Sequence, residues 1–298
     1  MERTATSTGE RSVGPRHLLS EAGCPFDRVV CGIDGSDEAV LAAMQARQLA
    51  PDVPITLVHA ISIIDHAYRR DYPAWIHNRR DAGRQLLDAL AQQLTIPGAP
   101  PPDITIEEGD IPDALSYVAD QTARPLLAIG SGDDADRRLH SLGPLPTGVR
   151  LSLRIVETAP CSVLVARQTP QPEHFPQSIG VGVDGSAPSI RAHGVAARIA
   201  DYTHARIAAI LALGGKGADL RSLQRARPPI IPSTITEDRP VKALLDAAAD
   251  HDLVVVGNRG LHGPRSLGSV SNRIVSGARR LYWSSAKSPA STPPEVRT

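Results

Sequence analysis

Two short stretches of the sequence are similar: RVVCGIDGSDE at residues 28–38, and SIGVGVDGSAP at residues 178–188. Each copy is an apolar run that ends in Asp-Gly-Ser, which is typical of a buried strand followed by a tight turn. The two aspartates, Asp34 and Asp184, are 150 positions apart (184 minus 34). A spacing of about 150 residues is the size of a whole domain, so the stretch indicates a duplicated domain.

Three further pairs of segments match in the same order. They pair 55–60 with 207–212, 107–115 (EEGDIPDAL) with 237–244 (EDRPVKAL), and 126–130 (LLAIG) with 253–257 (LVVVG). Four matches in one order predict a first repeat at residues 26–168 and a second repeat at residues 178–283. Between them we predict a Pro- and Gln-rich linker at 169–177. Residues 1–25 and 284–298 are expected to be a disordered leader and a disordered tail.

Within each repeat, apolar runs of four to six residues alternate with helical patterns. Residues 36–50 are predicted to form a helix with Ser36 as its N-cap. Residues 85–94 have apolar residues at spacings of three and four and are also predicted to be helical. This alternation favours βαβ units and a parallel sheet that is buried on both faces. The fold class is therefore α/β, with two doubly wound parallel-sheet domains. Ligands of such sheets bind beyond the carboxyl ends of the strands.

Composition excludes several classes of function. The 298 residues contain 32 Lys+Arg and 32 Asp+Glu, so net charge gives no reason to expect nucleic acid or an anionic membrane as a partner. Aromatic residues make up only 3%, which argues against stacking platforms for bases. No apolar run approaches the length of a membrane span. Three cysteines make no disulfide framework, and a cytoplasmic location is expected.

A glycine-rich loop in the second repeat is the candidate anion site. The strand that ends at Gly257 is followed by Gly260, Gly268 and Ser269, and apolar residues then recur at helical spacing. Glycines let the backbone approach an anion and point N–H groups at it. The N-terminus of the following helix adds free N–H groups and the positive end of a dipole.

Together, Asp-Gly-Ser after the first strand and the late Gly-x-x-Gly, loop and Gly-Ser-Val-Ser resemble the universal stress protein family in its tandem form. The resemblance covers about residues 26–283 and implies five-stranded, Rossmann-like sheets of the adenine nucleotide alpha hydrolase-like type. Family members with this loop commonly bind ATP, alone or with Mg²⁺. The resemblance implies that Asp184 and the backbone at Ala212 face adenine and ribose. It assigns the ribose and phosphates to Gly257, Gly260, Gly268, Ser269, Val270 and Ser271.

Both repeats depart from the family pattern. In the second repeat, seven residues instead of nine separate Gly260 from Gly268, and the stretch 214–232 has little room for a full helix. The equivalent site of the first repeat, at Asp34, Ala60, Gly130 and Gly148, is degraded. It lacks the second motif glycine, has Val149 in place of a hydroxyl residue, and carries acidic residues in the loop, at Asp133, Asp134 and Asp136. Acidic groups repel phosphates, so the first repeat is expected to bind ATP weakly or not at all.

Simpler interpretations stand beside these. Asp34 and Asp184 are also suited to capping the helices that follow them or to stabilising the glycine turns. Gly180, Gly182 and Gly185 match GxGxxG, but the first two fall inside a strand, which excludes the dinucleotide interpretation. Gly214-Gly-Lys216 lacks the earlier glycine of a P-loop. His59 is expected to be structural. No catalytic residues and no metal ligands are predicted, so enzymatic activity beyond slow ATP hydrolysis is not expected.

The carboxyl end of the second repeat is unexpected. The first repeat ends in a good strand at residues 159–167, whereas the second continues after Ala278 with polar and aromatic residues and no recognisable final strand. A frameshift in the gene is one explanation, and a native divergent end is the other. An unpaired sheet edge would follow in either case.

The predicted function is that of an ATP-binding stress-response regulator. A nucleotide-free protein-interaction module is the alternative, and an adenine-nucleotide hydrolase is a further competitor. The two repeats are expected to pair as an internal pseudo-dimer, with a homodimer as a further expectation and the protein partner unknown.

Overall fold

The structure is a computed structural model, and it describes residues 23–63, 70–131, 151–166, 174–215, 218–258, 270 and 273–274. In the first repeat the strands are β1 (Arg28–Gly32), β2 (Ile55–Ile61), β3 (Asp103–Glu108), β4 (Pro125–Gly130) and β5 (Ser162–Ala166). The helices are α1 (Asp37–Leu49), α2 (Tyr72–Leu94), α3 (Ile111–Ala119) and α4 (Leu151–Thr158). The five strands are parallel, in the order β3-β2-β1-β4-β5, which confirms the predicted sheet.

The second repeat has the same plan. Its strands are β6 (Ser178–Val183), β7 (Arg206–Ala212), β8 (Thr234–Thr236) and β9 (Leu253–Val255), and its helices are α5 (Ala187–Thr203), α6 (Leu220–Arg225) and α7 (Pro240–Asp250). These strands form a parallel sheet in the order β8-β7-β6-β9. Residues 275–298 lie outside the described part of the chain. The structure therefore does not test the prediction that the final strand is missing, nor the frameshift hypothesis.

The repeated Asp-Gly-Ser stretch folds in the same way in both copies. Apolar side chains of β1 are fully buried, and α1 starts at Ser36, whose hydroxyl accepts a hydrogen bond from the Ala39 N–H at 3.2 Å. Ser186 caps α5 in the same manner, accepting from the Ser189 N–H. Both helices therefore begin at the predicted serine, because a hydroxyl there satisfies one of the orphan N–H groups of the first turn.

Strand glycines align the two repeats. Gly32 in β1 pairs with Val58, and Gly182 in β6 pairs with Ile210. A Cβ at Gly32 would lie 3.1 Å from Leu115 of α3, and one at Gly182 would lie 3.0 Å from Leu244 of α7. Leu115 and Leu244 are thus equivalent, which confirms the more degenerate sequence match between 107–115 and 237–244.

The repeats differ most between their second and third strands. The first repeat has the 23-residue helix α2, which packs against β2 and β3. The second has the six-residue helix α6, as expected from the short stretch 214–232. As a result, the apolar side chains of Ile207 in β7 and Ile235 in β8 are 38% and 58% exposed.

Hydrogen bonds connect the two repeats. The hydroxyl of Tyr202 in α5 donates to Asp52 Oδ2 at 2.8 Å. In the predicted linker Phe175 is buried, and its N–H donates to Gln48 Oε1 of the first repeat at 2.7 Å. Part of the linker is therefore packed against α1. Of the helices that the structure describes, none is long and apolar enough to cross a membrane.

Candidate functional site

A cavity of about 460 Å³ lies at the carboxyl ends of β6, β7 and β9. Four of the predicted nucleotide-binding residues line it: Asp184, Ala212, Gly257 and Val270. The other four, Gly260, Gly268, Ser269 and Ser271, lie outside the described residues. The cavity is therefore at the edge of the sheet where a doubly wound fold binds its ligand, next to the strand at which the order of the strands reverses.

Asp184 has a structural role as well as a place in the cavity wall. Its Oδ1 accepts hydrogen bonds from the N–H of Ser186 at 2.9 Å and from the hydroxyl of the same serine at 2.5 Å. Asp34 makes the same two bonds to Ser36, at 2.9 and 2.6 Å. Gly185 and Gly35 have positive φ angles of 83° and 88°, as the tight turn requires. Both aspartates thus stabilise the glycine turn and orient the serine that caps the helix, so the capping interpretation is wrong for the aspartates themselves.

The next part of the wall, after Ala212 at the end of β7, is made of backbone. The N–H of Gly214 donates to Asp238 O at 3.1 Å, and a Cβ there would lie 2.3 Å from Glu237 O. Gly214 and Gly215 both line the cavity. The glycine pair that resembled a P-loop fragment is therefore required by the close approach of two loops at this wall.

Gly257 closes the site on the side of α5. A Cβ at this position would lie 2.5 Å from the backbone C and O of Pro188. Gly130, which ends β4 in the first repeat, is similarly tight: a Cβ would lie 2.9 Å from Ala39 N. These strand-ending glycines let the sheet pack directly against the first turn of a helix. That explains the residue type independently of any ligand.

The floor of the cavity is apolar. The buried side chains of Ile210, Leu244 and Val256 line it, and buried Ser189 lies beside them. The N–H of Asp184 donates to Ser189 Oγ at 3.2 Å, and that hydroxyl donates to Ser186 O at 3.0 Å. The site thus combines an apolar surface suited to a planar base with a small number of fixed polar groups.

Sequence reasoning missed two arginines in the wall, Arg239 and Arg273. Arg239 is the residue immediately before α7, and Arg273 is followed by the fully buried Ile274, which anchors the backbone at that point. A comparison of Arg-Ile-Val at 154–156 with the same triplet at 273–275 would have located one of them.

The corresponding place in the first repeat carries an ion pair. Asp110 stands five residues before Leu115, as Arg239 stands five before Leu244 (115 minus 110, and 244 minus 239). Arg154 precedes buried Ile155 as Arg273 precedes Ile274. Arg154 Nη2 donates to Asp110 Oδ2 at 2.7 Å. The two positions that hold an aspartate and an arginine in the first repeat therefore both hold arginine in the second.

Other charged groups near the cavity already have partners. Asp219 caps α6 through the hydroxyl and N–H of Ser222, and these hydrogen bonds lower the pKa of its carboxyl. Asp238 accepts from Lys242 Nζ at 3.0 Å, which lowers the pKa of that carboxyl. Hydrogen bonds from Lys242 to Asp246 and then to Asp238 raise the pKa of the lysine.

The candidate site residues of the first repeat are described only in part. Asp34 is exposed, Ala60 and Gly130 are half-buried, and Gly148 and the acidic residues Asp133, Asp134 and Asp136 lie outside the described residues. His59 Nδ1 is 2.8 Å from Ile33 O, and its ring packs against Gly83 of α2, a structural position. Within the described ranges no three His, Cys, Asp or Glu residues are grouped so as to hold a metal ion.

Comparisons with known proteins agree with this architecture. The model of the universal stress protein family matches residues 25–167 and 208–280. Two universal stress proteins of Mycobacterium tuberculosis are 25% and 28% identical over 288 and 285 residues, each covering 84% of this chain and 93% and 94% of their own.

Two solved structures share the fold over nearly the whole chain. A universal stress protein from Archaeoglobus fulgidus has a TM-score of 0.67 at 16% identity and covers 86% of this chain and 95% of its own. A putative universal stress protein from Pseudomonas aeruginosa has a TM-score of 0.55 at 14% identity, covering 87% and 93%. With the family model matching more than half of the chain, the protein belongs to the universal stress protein family, in its tandem form.

Proposed function

We propose that the second repeat binds ATP, alone or with Mg²⁺, in the cavity beside Asp184, and that occupancy regulates the protein's interactions. The observation that carries the proposal is the cavity itself, which brings Asp184, Ala212, Gly257 and Val270 together from four separate segments. Its volume of about 460 Å³ falls within the range of about 300–1,000 Å³ that is usual for small-molecule sites.

The chemistry of the walls supports an adenine nucleotide. Buried aliphatic side chains from β7, α7 and the segment after β9 offer an apolar surface for a base. Polar backbone at Gly214 and Gly215 and the side chain of Asn258 surround it. The glycine-rich loop from Gly257 to Ser271 would supply N–H groups for phosphates, and its helix N-terminus would supply a positive dipole end.

We propose that the first repeat contributes little to nucleotide binding. Its Arg154 already has a carboxylate partner in Asp110, so this guanidinium carries no uncompensated charge for phosphate. The acidic residues Asp133, Asp134 and Asp136 would add repulsion in its loop. The expected stoichiometry is one ATP per chain.

A regulatory role follows if nucleotide occupancy favours one arrangement of the surfaces presented to partners. A cytoplasmic location belongs to the same proposal. It is supported by the three cysteines, which are all free, as expected in a reducing compartment. An internal pseudo-dimer of the repeats is likewise proposed, supported by the hydrogen bond between Tyr202 and Asp52.

A nucleotide-free interaction module is the second candidate function. The observation in its favour is the apolar surface left by the short α6: Ile231 is 84% exposed and Ile235 is 58% exposed. Side chains of this kind are suited to a protein partner. This candidate predicts a purified protein without nucleotide and no response to added ATP.

The test is a pair of matched cavity-filling variants in the full chain. Ala212→Leu should narrow the cavity and reduce ATP affinity at least about tenfold, measured by calorimetric titration. Ala60→Leu places the same side chain at the equivalent position of the first repeat and should leave ATP affinity within about twofold. Nucleotide released from the purified wild-type protein should be identified by chromatography.

Three results would overturn the proposal. Wild-type protein that neither carries nor binds ATP would favour the interaction module. Loss of binding in Ala60→Leu, or two equivalents of ATP per chain, would show that the first repeat binds nucleotide as well. A urea denaturation curve for each variant shows that it is folded.

A further inference from the structure

We infer that Arg239 and Arg273 form a phosphate-binding subsite within the cavity of the second repeat, and that this subsite makes the protein prefer nucleotides with several phosphates. The identity of the ligand rests on the proposed function. The subsite itself rests on the placement and charge of the two arginines, both of which line the cavity.

The first argument is the exchange of charge between equivalent positions. In the first repeat the residue before α3 is Asp110, and Arg154 binds it at 2.7 Å, so the pair has no net charge. In the second repeat Arg239 replaces the aspartate while Arg273 is retained. The second repeat thus has a guanidinium at the position where the first repeat has the carboxylate that neutralises its arginine.

The second argument is that nearby carboxylates bind other groups. Asp238 accepts hydrogen bonds from Lys242 and Thr236, Asp184 Oδ1 accepts from Ser186, and Asp219 caps α6. In the part of the chain that the structure describes, neither arginine forms an ion pair. Among the described residues that line the cavity, the charged side chains are Arg239, Arg273 and Asp184, so the wall has an excess of one positive charge.

The chemistry of the guanidinium group points to phosphate. Its planar fork of N–H donors matches two phosphate oxygens at once, and it stays protonated at any physiological pH. Two guanidinium groups that share a cavity repel each other, and an anion between them removes that repulsion. The free N–H groups at the start of α7, next to Arg239, add to the attraction.

The experiment compares three ligands and two matched variants of the full chain. Arg239→Asp recreates the pair seen in the first repeat, so it is expected to fold. Arg191→Asp makes the same charge change at an exposed position of α5 that does not line the cavity. ATP, adenosine and inorganic pyrophosphate are titrated into each protein. Arg239→Gln repeats the comparison without introducing a negative charge. It replaces Arg239→Asp in the comparison if the aspartate variant does not fold.

The expected result is specific to phosphate. Arg239→Asp should weaken ATP and pyrophosphate at least about tenfold while adenosine changes less than about twofold, and Arg191→Asp should change none of them appreciably. ATP affinity of the wild type should also fall with salt, and this dependence should be smaller in Arg239→Gln.

The outcomes separate this inference from the proposed function. ATP binding that Arg239→Asp and Arg239→Gln leave unchanged, or weaken equally with adenosine, overturns the subsite and leaves the proposed function standing. Pyrophosphate binding that depends on Arg239 in a protein that does not bind ATP or adenosine supports the subsite and overturns the ATP proposal. A wild type that binds none of the three ligands overturns both.

Discussion

At the scale of single residues, several motif positions have structural duties that are separate from ligand binding. Asp34 and Asp184 make the same bonds to a serine two residues later, yet Asp184 lies in the wall of the cavity whereas Asp34 is exposed. The Asp-Gly-Ser motif therefore forms the turn between a strand and a helix and supplies the N-cap of that helix. Its presence in a repeat does not by itself identify a nucleotide site.

Gly257 offers a direct test of the packing role. Gly257→Ala would place a Cβ 2.5 Å from the backbone of Pro188, so β9 and α5 must move apart. We expect a loss of about 1–3 kcal/mol in the free energy of unfolding, measured by urea denaturation.

Gly194→Ala is the matched control for this substitution. Gly194 is in the interior of α5, and a Cβ there has nothing within 4 Å, so alanine should stabilise the protein by about 0.5–1 kcal/mol. Equal effects of the two substitutions would contradict the packing explanation of Gly257.

At the scale of elements, the sequence predicts the strands and helices whose positions depend on local sequence patterns. The apolar runs and the Ser36 N-cap predict β1 and α1, and the matched runs predict the parallel strands of both sheets. Four of the proposed site residues lie together because the carboxyl ends of parallel strands meet at one edge.

The arginine pair could not be found from such patterns. Arg239 and Arg273 are 34 positions apart (273 minus 239), and neither belongs to a recognised motif. Their proximity to one cavity depends on the packing of α7 beside β9. An alignment of the two repeats at Leu115 and Leu244 shows that Arg239 stands where the first repeat has Asp110.

The short helix α6 is expected to be stabilised by its N-cap residue, Asp219, and to lose that stabilisation at acidic pH. Since hydrogen bonds from Ser222 lower the pKa of Asp219 below its usual value of 3.8, the folded state favours the carboxylate. Its contribution to stability is therefore present above pH 3.8 and is lost as pH falls through the lowered pKa. Asp219→Ala should be less stable than the wild type at pH 6, and the difference should shrink below pH 3.8.

Urea midpoints of both proteins at pH 6 and at about pH 3 measure this difference. Asp250→Ala, at the last residue of α7, is the control for removing an exposed carboxylate from the same repeat. A difference between wild type and Asp219→Ala that stays constant with pH would show that ionisation of this residue does not stabilise α6.

At the scale of the whole molecule, the contact between the repeats contains a titratable group. Burial, followed by the hydrogen bond to Asp52, raises the pKa of the Tyr202 hydroxyl from 10.0 to about 12. The folded state therefore holds this proton more tightly than the unfolded chain does. Stability from the contact is complete below pH 10 and is lost as pH rises towards 12.

Tyr202→Phe removes the hydroxyl and keeps the ring. At pH 9 we expect the variant to be less stable by about 0.5 kcal/mol, the low end for a hydrogen bond because the pair is exposed to solvent. Between pH 10 and 12 the wild type should lose more stability than the variant, since only the wild type has this proton to lose. The two denaturation curves should therefore converge.

Tyr117→Phe is the matched control, because Tyr117 is 64% exposed on α3 and lies away from the contact. It should parallel the wild type at every pH. Convergence of the wild-type and Tyr202→Phe curves, without convergence for Tyr117→Phe, would locate the alkaline sensitivity at the contact between the repeats. The same series with saturating ATP would show whether nucleotide in the second repeat strengthens that contact. Parallel curves for all three proteins would mean that the bond between Tyr202 and Asp52 does not couple the two repeats in solution.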